Sequence, residues 1–461
     1  MMNLGLSTPI PEERNRAIVM GSGMAGLAAA RILSDFYRDV LLLEQDYTEN
    51  VVEHRRGVPQ SRHTHGLLAS GRNALERLFP GLSDDLLDSG AVKCCITRDG
   101  HWCFQGAEHV QFESGLEGLL ASRPLVEGLV RERLRLIPNV SLSDGCRAEG
   151  LTTNSDNSRV TGIRIHGESI PADLVADATG RGSRSRQWLD SMGYAKPGQE
   201  RVIFNIAYVT RRFRRLPHHM NGALLASIPA TPETRIGGVL LAQEADTWIA
   251  TLTSYGGQVP MELPAFIDFA KALPASHIYD VVSQAKPIDT AWSARFPIAV
   301  RSFYEQMLRF PSGYVVIGDA IASFDPVYGQ GMSVAALEAL ELEKALQSGS
   351  SNLAQRFFAQ ASKVIEAPWR MTAGNQLRTP GAGDRQTAIA RFLDWYVAQL
   401  HITAHSDPRV ALVFQQVTNL LAPTQTMFKS RIAWRVLTGA WCRHAARNRA
   451  SRLDAAARGA F

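Results

Sequence analysis

At 461 residues, with 45% hydrophobic and 20% charged residues, the chain is too long for one small core and has the composition of an ordinary globular protein of two or three domains. Its 49 Lys+Arg against 44 Asp+Glu leave a net charge of +5, which with no dense basic patch interleaved with aromatics excludes a nucleic-acid binder, and no apolar run approaches the ~18 residues of a membrane span. Five cysteines, an odd number without C-x-x-C spacing, support neither a disulfide framework nor zinc and fit a reducing cytoplasm.

The opening MMNLGLSTPIPEERNR lacks a basic start followed by an apolar core, so no signal peptide is read there and a cytoplasmic protein is expected. Residues 17–20 (AIVM) form a short apolar run that leads into GSGMAGLAAARIL, and VLLLE follows at 40–44. Strand, glycine turn, helix and strand make a βαβ unit, which requires a parallel sheet and a right-handed crossover. PLVEGLVRERLRLI (124–137) is helical, and VSLSDGCRAEGLTT, RVTGIRIHG and ADLVADATG read as strands. From about 201 the pattern changes. VIFNIAYVTRRF, GALLASIPA, GGVLLAQ and TWIATLTSYGG are strands separated by Pro and Gly turns, as in a mainly antiparallel sheet. AFIDFAKAL (265–273) is helical, YVVIGDA returns to the α/β pattern, and a helical tail follows RTPGAGDR (378–385). The expected fold class is α/β: a Rossmann-like nucleotide-binding domain over 1–95, 119–195 and 300–380, interrupted by a mainly antiparallel β substrate domain over 96–118 and 196–299, with a C-terminal helical region over 381–461.

Gly21, Gly23 and Gly26 fit G-x-G-x-x-G, and Glu44 lies 23 positions beyond Gly21 at the end of the next apolar run. The first glycine permits the tight turn, the second lets the backbone approach a pyrophosphate, and the third lets the helix pack on the strand. The turn Gly21, Ser22, Gly23, Met24, Ala25 and Gly26 is therefore expected to bind a dinucleotide, with Glu44 accepting from ribose hydroxyls, which favours FAD or NAD over NADP. A second glycine-rich stretch, VVIGDAIASFDPVYGQGMS at 315–333, decides for FAD. Asp319 is placed to meet a ribityl hydroxyl, Pro326, Gly329 and Gly331 shape a loop close to the isoalloxazine, and a helix beginning near Met332 aims its positive end at the ring.

GDAIASFDPVYGQGMS resembles the G-D-A…P…G-x-G motif of flavin-dependent monooxygenases of the para-hydroxybenzoate hydroxylase fold, the superfamily that includes squalene epoxidase. Together with RRGVPQSRHTH (55–65), ADATGRGSRSRQWL (176–189) and the GGVLLAQEADTWIATLTSYGG hairpin, it is similar to the flavin epoxidases of polyether biosynthesis, the monensin and lasalocid type, over roughly residues 17 to 375. The resemblance implies that Arg123 begins a helix and contacts the cofactor, where a surface arginine opening a helix is the alternative. It also implies that Arg55 and Arg56 lie by the flavin, that Arg147 offers backbone near the adenine and that Met332 touches the ring. Thr179-Gly180 stands where many NAD(P)H-using hydroxylases of this fold have Asp-Gly. NAD(P)H as the ultimate electron donor is accordingly expected to act directly or through a separate flavin reductase.

His63 and His65 lack a third ligand at matching spacing, so no metal site is expected, and they are set with Tyr328 as residues that line the substrate space. Trp292, without the second tryptophan of the halogenase W-x-W-x-I-P, reads as core. No G-x-S-x-G elbow, Walker loop or H-E-x-x-H occurs. The resemblance implies insertion of one oxygen atom from O2 through a flavin C4a-hydroperoxide, and because that chemistry belongs to the cofactor no catalytic side chain is assigned. Epoxidation of an alkene in a lipophilic polyketide or terpenoid precursor is the leading reading. Hydroxylation of an aromatic or polyketide is the second, and flavin-dependent saturation of an isoprenoid double bond the third.

Overall fold

A computed structural model describes residues 14–48, 54, 59–375, 379 and 387–442. The apolar runs at 17–20 and 40–44 fall on Arg16–Met20 and Asp39–Leu43, two of the three inner strands of a five-stranded parallel sheet. Val140–Ser143 pairs with Asp39–Leu43 at one edge, and Leu174–Asp177 followed by Tyr314–Val316 completes the other side. Ala17, Ile18, Val19, Val175 and Val315 are fully buried, because the helix Met24–Ser34 packs on the sheet and the strand Val160–Ile165, from a separate three-stranded sheet, packs against Leu174–Asp177, so that these strands have no polar side. The helix Met24–Ser34 carries a run of small residues and packs against the later helix Gly331–Gln347, so the two glycine-rich turns at their starts lie side by side.

An eight-stranded sheet runs in the order Ala322–Ser323, Trp292–Ser302, Gln199–Arg214, Thr247–Tyr255, Ile236–Gln243, Leu225–Ile228, Gly100–Phe104, Ala107–Glu108. All neighbours in it are antiparallel except Leu225–Ile228 with Gly100–Phe104. The sheet extends past residue 299 to Ser302 and takes in Ala322–Ser323, so the second glycine-rich stretch belongs to both sheets. A bulge between Ile203 and Ile206 bends the longest strand, with Asn205 at φ 52°.

Side chains alternate across this sheet with period two. Val209, Phe213, Ala226, Leu240, Ala250, Leu252 and Cys103 form a core with Phe266, Ile278, Val281 and Val282 of the helices Leu263–Lys271 and His277–Val282. The other face, including Trp102, Tyr208, Leu225, Val239, Leu241 and Thr251, turns toward a cavity.

Helices Ala388–Ala404, Pro408–Thr418 and 430–442 form the C-terminal part, with Tyr396, Leu400, Val410 and Val436 in their own core and Val110 and Phe112 packed against it. Among the described residues no helix is long and apolar enough to cross a membrane, and the five cysteines are free thiols. Trp292, expected in the core, is instead half-buried between the guanidinium groups of Arg62 and Arg212, each 5.5 Å from its ring centre.

Candidate active site

Between the carboxyl ends of the parallel strands and the inner face of the large sheet lies a cavity of about 910 Å³. One end is built by the first glycine turn. Gly21, at φ +94°, donates its N–H to Leu43 O at 2.8 Å, and a Cβ there would fall 2.7 Å from Ala178 O. A Cβ on Gly26 would fall 1.8 Å from Gly21 O, so this glycine is fixed by helix-on-strand packing. Gly23 differs from both: it is extended and a Cβ would meet no atom within 4 Å. It lines the cavity with Gly21, Met24 and Ala25, and the helix that follows has no side-chain cap for its first N–H groups. An open backbone with unsatisfied donors and a positive dipole end is an anion cradle, and a diphosphate fits it.

Glu44 also lines the cavity, and it braces the loop. Its Oε2 accepts from Ser22 N–H at 3.0 Å and Ser22 Oγ–H at 2.7 Å, while Oε1 accepts from Asp46 N–H at 3.1 Å. Ser22 is buried beneath the loop, where its carbonyl accepts from Arg131 Nη2 at 3.1 Å. Ser22 and Gly26 are thus outside the cavity lining and Arg147 is within it. Arg55 and Arg56 lie outside the described residues.

The second glycine stretch closes the same cavity. After strand Tyr314–Val316, Gly318 turns at φ +71° and donates its N–H to Glu338 Oε2 at 2.6 Å. Asp319 follows with its carboxyl turned into the cavity, pushed above the ordinary carboxylate value by enclosure, with Arg123 and Arg181 opposing that shift. Pro326 opens a short turn held by Asp325, whose Oδ1 accepts from Val327 N–H at 3.1 Å. Gly329 then reverses the chain at φ +62°, 3.5 Å from Gly66 N as measured from an added Cβ. Helix Gly331–Gln347 starts there, again without a side-chain cap, and Gly331 and Met332 line the cavity with Pro326, Tyr328 and Gly329.

Arg123 begins a helix whose N-cap is Ser122. Its Nε donates to Glu127 Oε1 at 2.8 Å and its Nη1 to His65 Nε2 at 3.3 Å. His65 Nδ1–H donates to His63 O at 2.9 Å, so the ring is a neutral tautomer relaying between arginine and backbone. Burial, then the Arg123 charge, pushes it down to about 3.

His63 contacts Thr210 Oγ1 through Nδ1 at 2.8 Å and stands edge-on to Tyr208 at 4.5 Å. Thr210, Thr251 and Thr64 continue as a hydroxyl chain with links of 2.6 Å. Burial, then the neighbouring His54 and Arg62, pushes His63 down to about 4. Sequence reasoning missed Thr64, Thr210, Thr251, Arg181 and Glu338. The signal for Thr210 and Thr251 was there, as polar residues at alternate positions of otherwise apolar strands, whereas Thr64 lies in a loop.

No family model matches the chain. Protein Rv3254 of Mycobacterium tuberculosis is 32% identical over 383 residues, 78% of this chain and 80% of that protein. Among solved structures, the flavin-dependent brominase Bmp2 superposes with TM-score 0.64 at 13% identity, covering 93% of this chain and 99% of that one. PqsL, a probable FAD-dependent monooxygenase from Pseudomonas aeruginosa, superposes with TM-score 0.60 at 15% identity over 87% and 99%. For 2-methyl-3-hydroxypyridine-5-carboxylic acid oxygenase (mutant C294A) the values are 0.58, 19%, 88% and 98%. The fold is the one these flavoproteins share.

Proposed function

The chain belongs to the same family as Protein Rv3254 of Mycobacterium tuberculosis, and from its cavity we propose that it is an FAD-dependent monooxygenase that transfers one oxygen atom from O2 to a lipophilic substrate. The observation that supports this most is the convergence of two uncapped helix N-termini, behind Gly23 and Gly329, on a cavity whose opposite wall is the apolar face of a sheet. Gly21 to Ala25 would hold the diphosphate, Glu44 and Arg147 the adenosine end, Asp319 the ribityl chain, and Gly331 and Met332 the ring. Bound FAD, once reduced, supplies the activation of O2. The chain's share is to bind, orient and keep water away. Arg123, fixed by Glu127 and His65, places a cation near Asp319, and the sheet face from Trp102 to Leu241 offers an apolar bed for the substrate.

An alkene in a polyketide or terpenoid precursor is the substrate class we favour, giving an epoxide. Hydroxylating a phenol calls for a base that titrates near the working pH. His63, at about 4, and His65, at about 3 and committed to Arg123, are too weakly basic for that task. Thr179 and Gly180 line the cavity where many hydroxylases of this fold have Asp-Gly, and we infer that NAD(P)H reduces the flavin directly or through a separate reductase in the cytoplasm.

The test is to purify the chain, measure bound flavin by its visible absorbance, and reduce it anaerobically with NADH or NADPH, with and without a generic flavin reductase. O2 uptake and incorporation of labelled oxygen are then followed with terpenoid and polyketide alkenes. Yellow protein that consumes O2 and labels an alkene is expected. Flavin-free protein that refuses added FAD removes the reading, and turnover without O2 uptake transfers it to the double-bond reductase.

A further inference from the structure

Away from the cavity, on the opposite face of the large sheet's edge, three ligating side chains meet. His101 and Cys103 lie two residues apart on strand Gly100–Phe104 and therefore share a face. Cys103 pairs with Glu108 across to strand Ala107–Glu108, and His277 opens the helix His277–Val282 that packs on that face. His101 Nδ1 lies 2.7 Å from Glu108 Oε2, and His277 Nε2 lies 2.8 Å from Glu108 Oε1. The two imidazoles are 4.1 Å apart, tilted by 32°.

We propose that His101, Glu108 and His277 form a divalent-cation site of the zinc type, a clamp between the edge of the sheet and the helix beginning at His277. Two imidazole nitrogens and one carboxylate are a ligand set that zinc takes, with a fourth position left to water. The three ligand atoms lie within 4.8 Å of one another. Around a tetrahedral zinc with bonds of about 2.0–2.1 Å they would stand roughly 3.3 Å apart. The two rings now bond different oxygens of Glu108, so ion entry needs the carboxylate and the rings to re-aim at one point, with the ion replacing the protons they share.

The surroundings suit an ion. His101 and His277 are one-sixth to one-fifth exposed and Glu108 about two-fifths, so the site is reachable from solvent. Behind His277, its other nitrogen Nδ1 faces Cys103 Sγ at 3.9 Å, a contact that orients the ring from outside the ligand set. Between His101 and Cys103, Trp102 points the other way and lines the cavity. An ion here would pin the strand that carries this wall residue, whatever ligand fills the cavity. The spacing gave no warning, since His277 is 169 positions from Glu108.

The experiment uses the full chain stripped with a chelator and dialysed. Zn2+ is titrated by calorimetry and Co2+ by visible absorbance, in the wild type, Glu108→Gln and the double variant His101→Ala/His277→Ala. Thermal unfolding is followed with and without Zn2+. Expected are one equivalent of Zn2+ bound by the wild type, affinity lowered at least tenfold in Glu108→Gln and more in the double variant, and a Zn2+-dependent rise in thermal midpoint that both variants lose. Absence of saturable binding in the wild type overturns the proposal. Binding and midpoint shift unchanged in Glu108→Gln, the variant of nearly the same shape, overturn it equally, by assigning the ion to other histidines.

Discussion

At the scale of single residues, the glycines of the first turn do different work although they share one motif. Gly26 has a backbone oxygen 1.8 Å from the place of its missing Cβ, whereas Gly23 has only cavity there. Gly26→Ala forces the helix Met24–Ser34 off its strand, and since backbone cannot yield as a side chain can, the cost belongs at the upper end of overpacking, about 3 kcal/mol. Denaturant midpoints and soluble yield measure it. Gly23→Val places its side chain in open space at an allowed backbone conformation, so its cost in unfolding free energy is limited to that of a poor N-cap residue, about 1 kcal/mol. The same methyl groups fill the anion cradle, and FAD affinity falls at least tenfold, about 1.4 kcal/mol. Flavin titration of the folded variant reads this directly, and undiminished affinity would take the cofactor away from this turn.

Among elements, the helix Gly331–Gln347 and the Gly318 turn are joined by one buried carboxyl. Glu338 accepts the Gly318 N–H through Oε2, and its Oε1 is buried without a hydrogen-bond partner among the described residues. Burial pushes this acid up to about 8, the Gly318 bond opposing and the Asp319 charge assisting. The folded chain therefore keeps a proton that the unfolded chain gives up above about 4.5. The stability so contributed is complete below that pH and is lost as pH rises through 8. Glu338→Gln keeps an acceptor for Gly318 and removes the titration. Urea unfolding should find the variant gaining on the wild type by about 3 kcal/mol between pH 5 and pH 8, and a constant difference would mean that the carboxyl is already charged at pH 5. The stretch ALEALELEKAL holds three glutamates, of which Glu341 and Glu343 pair with Lys344 and Arg77 at the surface. Only the buried row Val334, Glu338, Leu342 marks the first, Glu338, as internal, a helical periodicity that reads as a stray charge until the Gly318 turn is seen beside it.

Across the whole molecule, what was legible was what is local. The parallel unit around Gly21, the antiparallel strands after 201 and the second turn at Gly318 to Gly331 each rest on neighbours within about twenty residues. The chain of His63, Thr210, Thr251 and Thr64 closes over separations of 147 and 187 positions, and no spacing rule reaches so far. The same holds where the C-terminal helices join the sheet. His109 Nε2 meets His401 Nδ1 at 3.1 Å, Phe104 stacks on His401 at 4.2 Å, and His405 Nε2–H donates to Phe104 O at 2.9 Å. Burial first, and then neighbouring imidazoles, pushes His109 down to about 4 and His401 to about 3. A base depressed in the folded state contributes stability that is present above about 6.5 and lost as pH falls toward its folded value, because the unfolded chain takes up the proton first. At pH 5 each such histidine has given up about 2 kcal/mol. His401→Phe keeps a flat ring against Phe104 and cannot take up a proton. Between pH 7 and pH 5 the variant should therefore lose about 2 kcal/mol less unfolding free energy than the wild type. Amide exchange over 388–418, corrected for its intrinsic pH dependence, should rise more in the wild type than in the variant, while Arg16–Met20 stays protected in both. Equal losses in the two proteins would mean that this junction opens for a reason other than the charging of its histidines.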